Sequence, residues 1–126
     1  CYWNAGSLSV HNFAKIDLIK AFNSVHKVDN IFITETFLNS SHLSDNNELL
    51  IENYTLIRED LPSDVRRGGV GVYYKSCLPI RTLQVINLKE FFALEVQNET
   101  KLSIFCALYR SPSQPFDDFE KFISDL

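Results

Sequence analysis

The segment "NIFITETFLNSS", residues 30–41, decides the fold, because it contains an apolar strand that ends in a charge. Residues 31–34 are β-branched or aromatic without alternation, which is typical of a strand covered on both faces. Glu35 follows directly. A buried or half-buried carboxylate must be paired, protonated or bound to a cation. The segment therefore predicts a central strand that carries a functional carboxylate to the edge of a sheet.

The composition is that of one globular unit. The chain has 126 residues, of which 45% are hydrophobic and 22% are charged, so one domain at most is expected. No apolar run reaches the length of about 18 residues that a membrane helix needs, and the first residues lack the layout of a signal peptide. We therefore expect an intracellular protein that is neither secreted nor inserted in a membrane.

The overall charge does not favour nucleic acid as a partner, since the formal net charge is −4. The net charge is positive locally between Arg58 and Arg81, where the chain has five basic residues and three acidic ones. A local basic edge on an acidic protein can still contact phosphate groups. DNA therefore stays among the expected partners.

The three cysteines, Cys1, Cys77 and Cys106, are widely spaced and lack a CxxC pair or a histidine pattern that would suit zinc. We expect free thiols, two of them within strands. Methionine is absent, the first residues read as the end of a strand, and the last ten read as an amphipathic helix. We expect an internal piece of a longer chain that continues on both sides.

The spacing of apolar residues predicts an α+β domain with mostly antiparallel strands. From Phe13 to Val25 they recur every three positions, as in an amphipathic helix on one face of a sheet. Residues 39–53 read as a polar loop with one short helical turn, and the turn "QNET" predicts antiparallel pairing of the strands beside it. The other predicted elements are strands at 1–4, 54–60, 70–75, 90–96 and 101–109 and a helix at 117–126.

Three polar side chains stand at the ends of predicted strands: Asn4, Glu35 and Tyr109. Strand ends on one edge of a sheet form a rim where side chains can converge on rigid backbone. Each residue also has a purely structural interpretation: Asn4 as a turn former, Tyr109 as a core ring with a solvated hydroxyl, and Glu35 as a solvated loop charge. For a half-buried Glu35, Mg²⁺ is the physiological cation that favours one or two carboxylates with waters and phosphate oxygens.

Five motifs, in order along the chain, resemble those of a known family. They are "YWNAGSL" (2–8), "ITETFLNSS" (33–41), "RRGGVGVYYK" (66–75), "EFFALEV" (90–96) and "LYRSPSQPFDDF" (108–119). Together they look like the N-terminal half of an endonuclease/exonuclease/phosphatase domain, DNase I-like, and more narrowly like the endonuclease of LINE-type non-LTR retrotransposons. The resemblance implies a four-layered α/β sandwich of which residues 1–126 form a partial domain.

The resemblance also implies roles for individual residues. Asn4 matches an asparagine that orients the phosphate or the catalytic groups, Glu35 the metal-binding glutamate, and Tyr109 a tyrosine whose hydroxyl hydrogen-bonds the scissile phosphate. Such a donor is useful because the transition state concentrates negative charge on the phosphate oxygens. Mg²⁺, or Mn²⁺ in its place, would assist the hydrolysis of a phosphodiester bond in DNA.

The chain departs from the family pattern in several places. The "GDFN"-like and "SDH"-like strings, which in the family supply the general base and further metal ligands, do not occur. We therefore expect that the C-terminal catalytic half is missing and that the isolated chain is inactive. Gly6, Arg67 and Ser111 stand where the family usually has other residues, and none of these changes removes a catalytic group.

The run "RRGG", residues 66–69, has two interpretations. Arg66 and Arg67 beside flexible backbone are candidate contacts to DNA phosphates, as is Arg110 after Tyr109. The alternative is an entry turn into the strand at 70–75 with solvated arginines. The three histidines lack a partner spacing and are not expected to be catalytic.

Three functions follow from these observations. The first is part of an endonuclease that nicks target DNA for retrotransposition in the nucleus, with a reverse transcriptase expected in the same polyprotein. The second keeps the fold but changes the substrate to abasic DNA, a phosphoinositide or a phospholipid. The third is a non-catalytic, degenerate remnant. The sequence implies no stable oligomer.

Overall fold

The computed structural model describes residues 1–9, 13–39, 41–42, 47–60, 67–83, 91–97, 101–110, 112 and 115–125. These residues form two β-sheets, two α-helices and one 3-10 helix. The elements are β1 (Tyr2–Asn4), α1 (Ala14–His26), β2 (Asn30–Thr34), the 3-10 helix (Asn47–Leu49), β3 (Tyr54–Glu59), β4 (Val70–Lys75), β5 (Ile80–Leu83), β6 (Phe91–Gln97), β7 (Leu102–Leu108) and α2 (Phe116–Asp125).

β2 lies inside the first sheet, as its apolar run predicts. The strand order is β1-β2-β4-β3, in which β1 runs parallel to β2 and β4 runs antiparallel to both of its neighbours. Ile31 and Ile33 are buried on one face, and Phe32 packs in a second cluster on the other. The prediction of a central strand covered on both faces is confirmed.

The second sheet contains the predicted antiparallel pair. β6 and β7 pair in a register that sets Phe91 opposite Leu108 and Gln97 opposite Leu102. The connecting residues 98–100 lie outside the described part of the chain. β5 pairs with the other side of β6. It is not among the predicted strands, because its four residues, "IRTL", are too few to show a period.

α1 packs on one face of the first sheet. Its apolar spacing sets Ile16 and Ile19, which are 1% and 4% exposed, in one cluster with Ile31 and Ile33. Burial of a side chain of this size contributes roughly 1.5 to 3 kcal/mol. The helix ends at His26, and the N–H of the C-cap residue Lys27 donates to the Asn23 carbonyl. Neither helix in the described ranges is long and apolar enough to cross a membrane.

The two sheets pack face to face through a smaller apolar cluster. Val70 of β4 and Ala107 of β7 are its buried members. The ring of Phe32 on β2 lies 6.3 Å from that of Phe105 on β7, measured between centroids. The described chain is therefore layered as helix, sheet and sheet, which confirms the α+β prediction and agrees with a DNase I-like sandwich.

The prediction for the cysteines is only partly confirmed. Cys1, Cys77 and Cys106 are free and exposed. Only Cys106 lies in a strand, since β1 starts at Tyr2 and the ladder of β4 ends at Lys75, before Cys77. The expectation of two cysteines within strands is therefore wrong.

Replacement of Ile33 by alanine should lower the free energy of unfolding by about 2 to 5 kcal/mol, because Ile33 is 0% exposed and its truncation leaves a cavity in the main core. The matched control is Ile104→Ala, since Ile104 lies in a strand but is 58% exposed. The control should lose about 1 kcal/mol or less. Urea denaturation measures both, and equal losses would contradict the assigned core.

Candidate active site

The parallel pairing of β1 with β2 brings two predicted site residues to one edge of the first sheet. Asn4 ends β1 and pairs with Thr34, which ends β2. Glu35 follows Thr34 directly, and the N–H of Ala5 donates to the Thr34 carbonyl at 2.9 Å. Parallel strands end at the same edge of a sheet, so Asn4 and Glu35 stand at neighbouring strand ends.

Glu35 is half-buried and has a φ of 54°, in the left-handed region. This conformation costs a non-glycine residue about 1 to 2 kcal/mol, so surrounding contacts must hold it in place. The Glu35 carbonyl accepts the N–H of Ser7 at 2.8 Å, and the Thr36 carbonyl accepts the N–H of Leu8 at 2.8 Å. Glu35 is therefore not a fully solvated loop residue, and its role as a metal ligand stays a prediction.

Asn4 shapes the loop beside Glu35. Its side-chain Oδ1 accepts the N–H of Gly6 at 3.1 Å, which forms an Asx turn. Lys15 of α1 donates from Nζ to the carbonyls of Ala5 and Gly6, the latter at 3.0 Å. Asn4 therefore forms a turn, as its structural interpretation predicts. It is also exposed, so its amide is accessible to a ligand at the rim.

The two glycines of "RRGG" brace the residues that follow Glu35. The N–H of Thr36 donates to the Gly69 carbonyl at 3.2 Å, and the N–H of Phe37 donates to the Gly68 carbonyl at 2.9 Å. Gly69 has a φ of 80°, and a Cβ at this position would overlap Thr36 Oγ1. Only glycine therefore fits here without displacing the Glu35 segment. The sequence patterns gave no sign of this contact.

Tyr109 reaches the same edge from the second sheet. It follows β7 and packs against the cluster of Val70 and Ala107. Val70 pairs with Thr34, the residue before Glu35. Tyr109 is half-buried, which suits a ring in the apolar cluster and a hydroxyl at the rim. The register brings Asn4 and Glu35 to one edge of the first sheet, and Tyr109 packs in the apolar cluster that contains Val70 of this edge.

The structure describes two of the three arginines that are candidate phosphate contacts. Arg67 and Arg110 are exposed, whereas Arg66 lies outside the described residues. Exposed guanidinium groups are compatible with phosphate contacts. Their role in binding DNA stays a prediction.

Glu35 suits a hydrated Mg²⁺ as one ligand. Mg²⁺ is usually held by one or two carboxylates together with waters and substrate phosphate oxygens. Glu35 supplies one carboxylate on a rigid strand end, with the amide of Asn4 on the neighbouring strand. Within the part of the chain that the structure describes, no group of three or more His, Cys, Asp or Glu side chains could hold a metal. A complete metal site would need further ligands.

A buried ion pair near this edge is absent from the sequence predictions. Arg58 Nη2 lies 3.3 Å from Asp60 Oδ2, and the two side chains are 9% and 19% exposed. Burial raises the pKa of Asp60, and Arg58 and then His42 oppose this rise. The signal that could have found the pair is a period of two in "YTLIRED", which aligns both charges with the apolar side chains of Tyr54 and Leu56.

Comparison with solved structures identifies the fold. The AP endonuclease LMAP from Leishmania major superposes with a TM-score of 0.74 at 14% sequence identity, over 96% of this chain and 42% of that one. The endonuclease domain of TRAS1, a telomere-specific non-LTR retrotransposon, superposes with a TM-score of 0.68 at 10% identity, over 98% of this chain and 52% of that one. The chain has a DNase I-like fold.

The likeness lies in the DNase I-like fold and not in overall sequence identity. No protein-family model matches the chain, and no curated protein matches it. The chain spans about half the length of the two solved structures. The fold that the five motifs predicted is confirmed.

Gly69→Ala should lower the free energy of unfolding by about 2 to 3 kcal/mol, because the added Cβ disfavours the positive φ and collides with Thr36. Gly6→Ala is the matched control. Gly6 also has a positive φ, 51°, but its Cβ would meet only Lys15 Nζ, at 3.9 Å. The control should lose about 1 kcal/mol. Urea denaturation gives both losses, and the NMR shift of the Thr36 amide reports displacement. Equal losses with an unmoved Thr36 amide would show that the glycine brace is unimportant.

Proposed function

We propose that this chain is the N-terminal part of a Mg²⁺-dependent DNA endonuclease, and that the full-length protein nicks target DNA for retrotransposition. The proposal is carried by the position of Asn4 and Glu35 at neighbouring strand ends of the first sheet, with Tyr109 in the apolar cluster of Val70, which pairs with Thr34. It is supported by the two solved structures of the same fold, one an AP endonuclease and the other a retrotransposon endonuclease domain.

Each of the three residues has a role that its position suits. Glu35 would hold Mg²⁺, or Mn²⁺, through a carboxylate at the end of a buried strand. A bound cation would supply Lewis-acid stabilisation of charge on the phosphoryl and leaving oxygens. Asn4 orients the phosphate through its exposed amide. Tyr109 donates its hydroxyl proton to a phosphate oxygen where charge develops in the transition state.

The remaining groups of the reaction are assigned to a further part of the protein. Strings similar to "GDFN" and "SDH" do not occur in this sequence, and they are the proposed source of the general base and of more metal ligands. The isolated chain should therefore nick DNA slowly or not at all. The proposal also includes a reverse transcriptase in the same polyprotein and action in the nucleus.

An abasic-site endonuclease is the second candidate, because one of the two solved structures with this fold is an AP endonuclease. The motifs "NAGSL" and "YRSPSQ" favour the retrotransposon type. A duplex that contains one abasic site, compared with the same duplex intact, separates the two functions. Cleavage confined to the abasic duplex would favour the second candidate over the first.

In the full-length protein, Glu35→Gln should abolish Mg²⁺-dependent nicking of supercoiled plasmid and leave the fold intact, because the amide lacks the negative charge that Mg²⁺ requires. Glu59→Gln is the matched control, since Glu59 is an exposed carboxylate at the same edge, opposite Val70. The control should nick at the wild-type rate. Undiminished nicking by Glu35→Gln would exclude Glu35 as a metal ligand.

Tyr109→Phe should weaken transition-state binding by about 1 to 3 kcal/mol, the size expected for a hydrogen bond to a charged group. The loss should fall on kcat more than on KM, because the bond strengthens as charge develops. Tyr74→Phe is the control, since Tyr74 is also half-buried but pairs with Asn30 at the opposite end of β2. An unchanged kcat for Tyr109→Phe would remove this hydroxyl from the mechanism.

A further inference from the structure

The buried ion pair at the end of β3 is not explained by the roles assigned so far. Arg58 and Asp60 are bound through Nη2 and Oδ2, and within the described chain Arg58 Nη1 and Asp60 Oδ1 are buried without a hydrogen-bond partner. A buried ion pair with unsatisfied atoms contributes little to stability, and apolar side chains of similar volume are often at least as stable. The pair therefore calls for a role other than stabilising the fold.

The pair lies at the same edge of the first sheet as Glu35. Glu59, between the two charged residues, pairs with Val70. The preceding Gly69 braces Thr36, and a Cβ on Gly69 would lie 3.5 Å from the Glu59 carbonyl oxygen. The end of β3 therefore lies beside Gly69, whose carbonyl accepts the N–H of Thr36, the residue after Glu35.

We propose that Arg58 and Asp60 form a polar clamp that holds the end of β3 beside the segment after Glu35 and thereby positions the Glu35 carboxylate for its divalent cation. This role rests on the proposed function, because it presumes that Glu35 binds a cation. The clamp residues bind neither the cation nor DNA directly and are positioning residues. The strained φ of 54° at Glu35 is the reason that such positioning is needed, since backbone held in a disfavoured region relaxes when its surroundings loosen.

The test uses three variants of the full-length protein. Asp60→Asn removes the charge at constant volume. The double variant Arg58→Met with Asp60→Leu replaces the pair by apolar side chains, which should restore packing without restoring the charges. Asp29→Asn is the matched control, because Asp29 forms an exposed ion pair with Lys75 at 2.6 Å beside the opposite edge of the sheet.

Hydrogen exchange of backbone amides is the first measurement. In Asp60→Asn and in the double variant, the amides of Thr36 and Phe37 should lose protection while those of Ile33 and Val72 in the β-ladder keep theirs. The second measurement is the Mg²⁺ concentration for half-maximal nicking. It should rise about tenfold, the usual effect of removing a residue that orients a metal ligand, with kcat at saturating Mg²⁺ nearly unchanged. Asp29→Asn should match the wild type in both measurements.

The clamp is refuted if the double variant regains wild-type protection at Thr36 and Phe37 and wild-type Mg²⁺ dependence, since the pair would then only fill space. A uniform loss of protection across the first sheet in Asp60→Asn would refute it as well. If the wild-type protein nicks no DNA with any divalent cation, the proposed function fails, and the exchange pattern alone still decides whether the clamp holds the segment after Glu35.

Discussion

The site depends on backbone hydrogen bonds that continue the parallel pairing of β1 and β2 beyond the ends of both strands. They tie the loop after Asn4 to the segment that contains Glu35. Backbone donors and acceptors are present in every residue, so these hydrogen bonds need no particular side chain at the bonded positions themselves. The donors are the N–H groups of Ala5, Ser7 and Leu8, and the acceptors are the carbonyls of Thr34, Glu35 and Thr36.

The continued pairing requires an unusual backbone at the residue that carries the charge. Glu35 and Phe37 have φ values of 54° and 53°, on either side of the buried Thr36. Without support, these conformations would relax toward an ordinary loop. The carbonyls of Gly68 and Gly69 supply that support from the start of β4. The strain and its brace thus occur together at the strand end where the carboxylate stands.

Local patterns in the sequence were sufficient for the described helices and strands except β5, and they placed the candidate residues at strand ends. The unbroken run before Glu35 indicated a central strand because burial on both faces removes the alternation. Asn4 and Tyr109 became candidates because the ends of strands can be predicted from the sequence. The contacts around these residues could not be predicted from the sequence. Contacts such as that of Gly69 with Thr36 join residues far apart in the chain and depend on which strands pair. The Arg58–Asp60 pair was missed because charges on a short strand suggest solvent, and only the core behind β3 makes this face buried.

Charged side chains at the two ends of the first sheet are in different environments. At one end, Asp29 and Lys75 form an ion pair in solvent, with the Asp29 side chain 65% exposed, so the pair loses little hydration. At the other end, burial raises the pKa of Asp60. A raised pKa means that the folded chain binds this proton more tightly than the unfolded chain, so the contribution of Asp60 to stability is present at low pH and is lost as the pH rises through the raised value. Above that value the ionised carboxylate therefore opposes folding. An unfavourable charge and a strained glutamate at the same edge are difficult to explain by stability, and both are explained if that edge is built to hold one carboxylate in a fixed position.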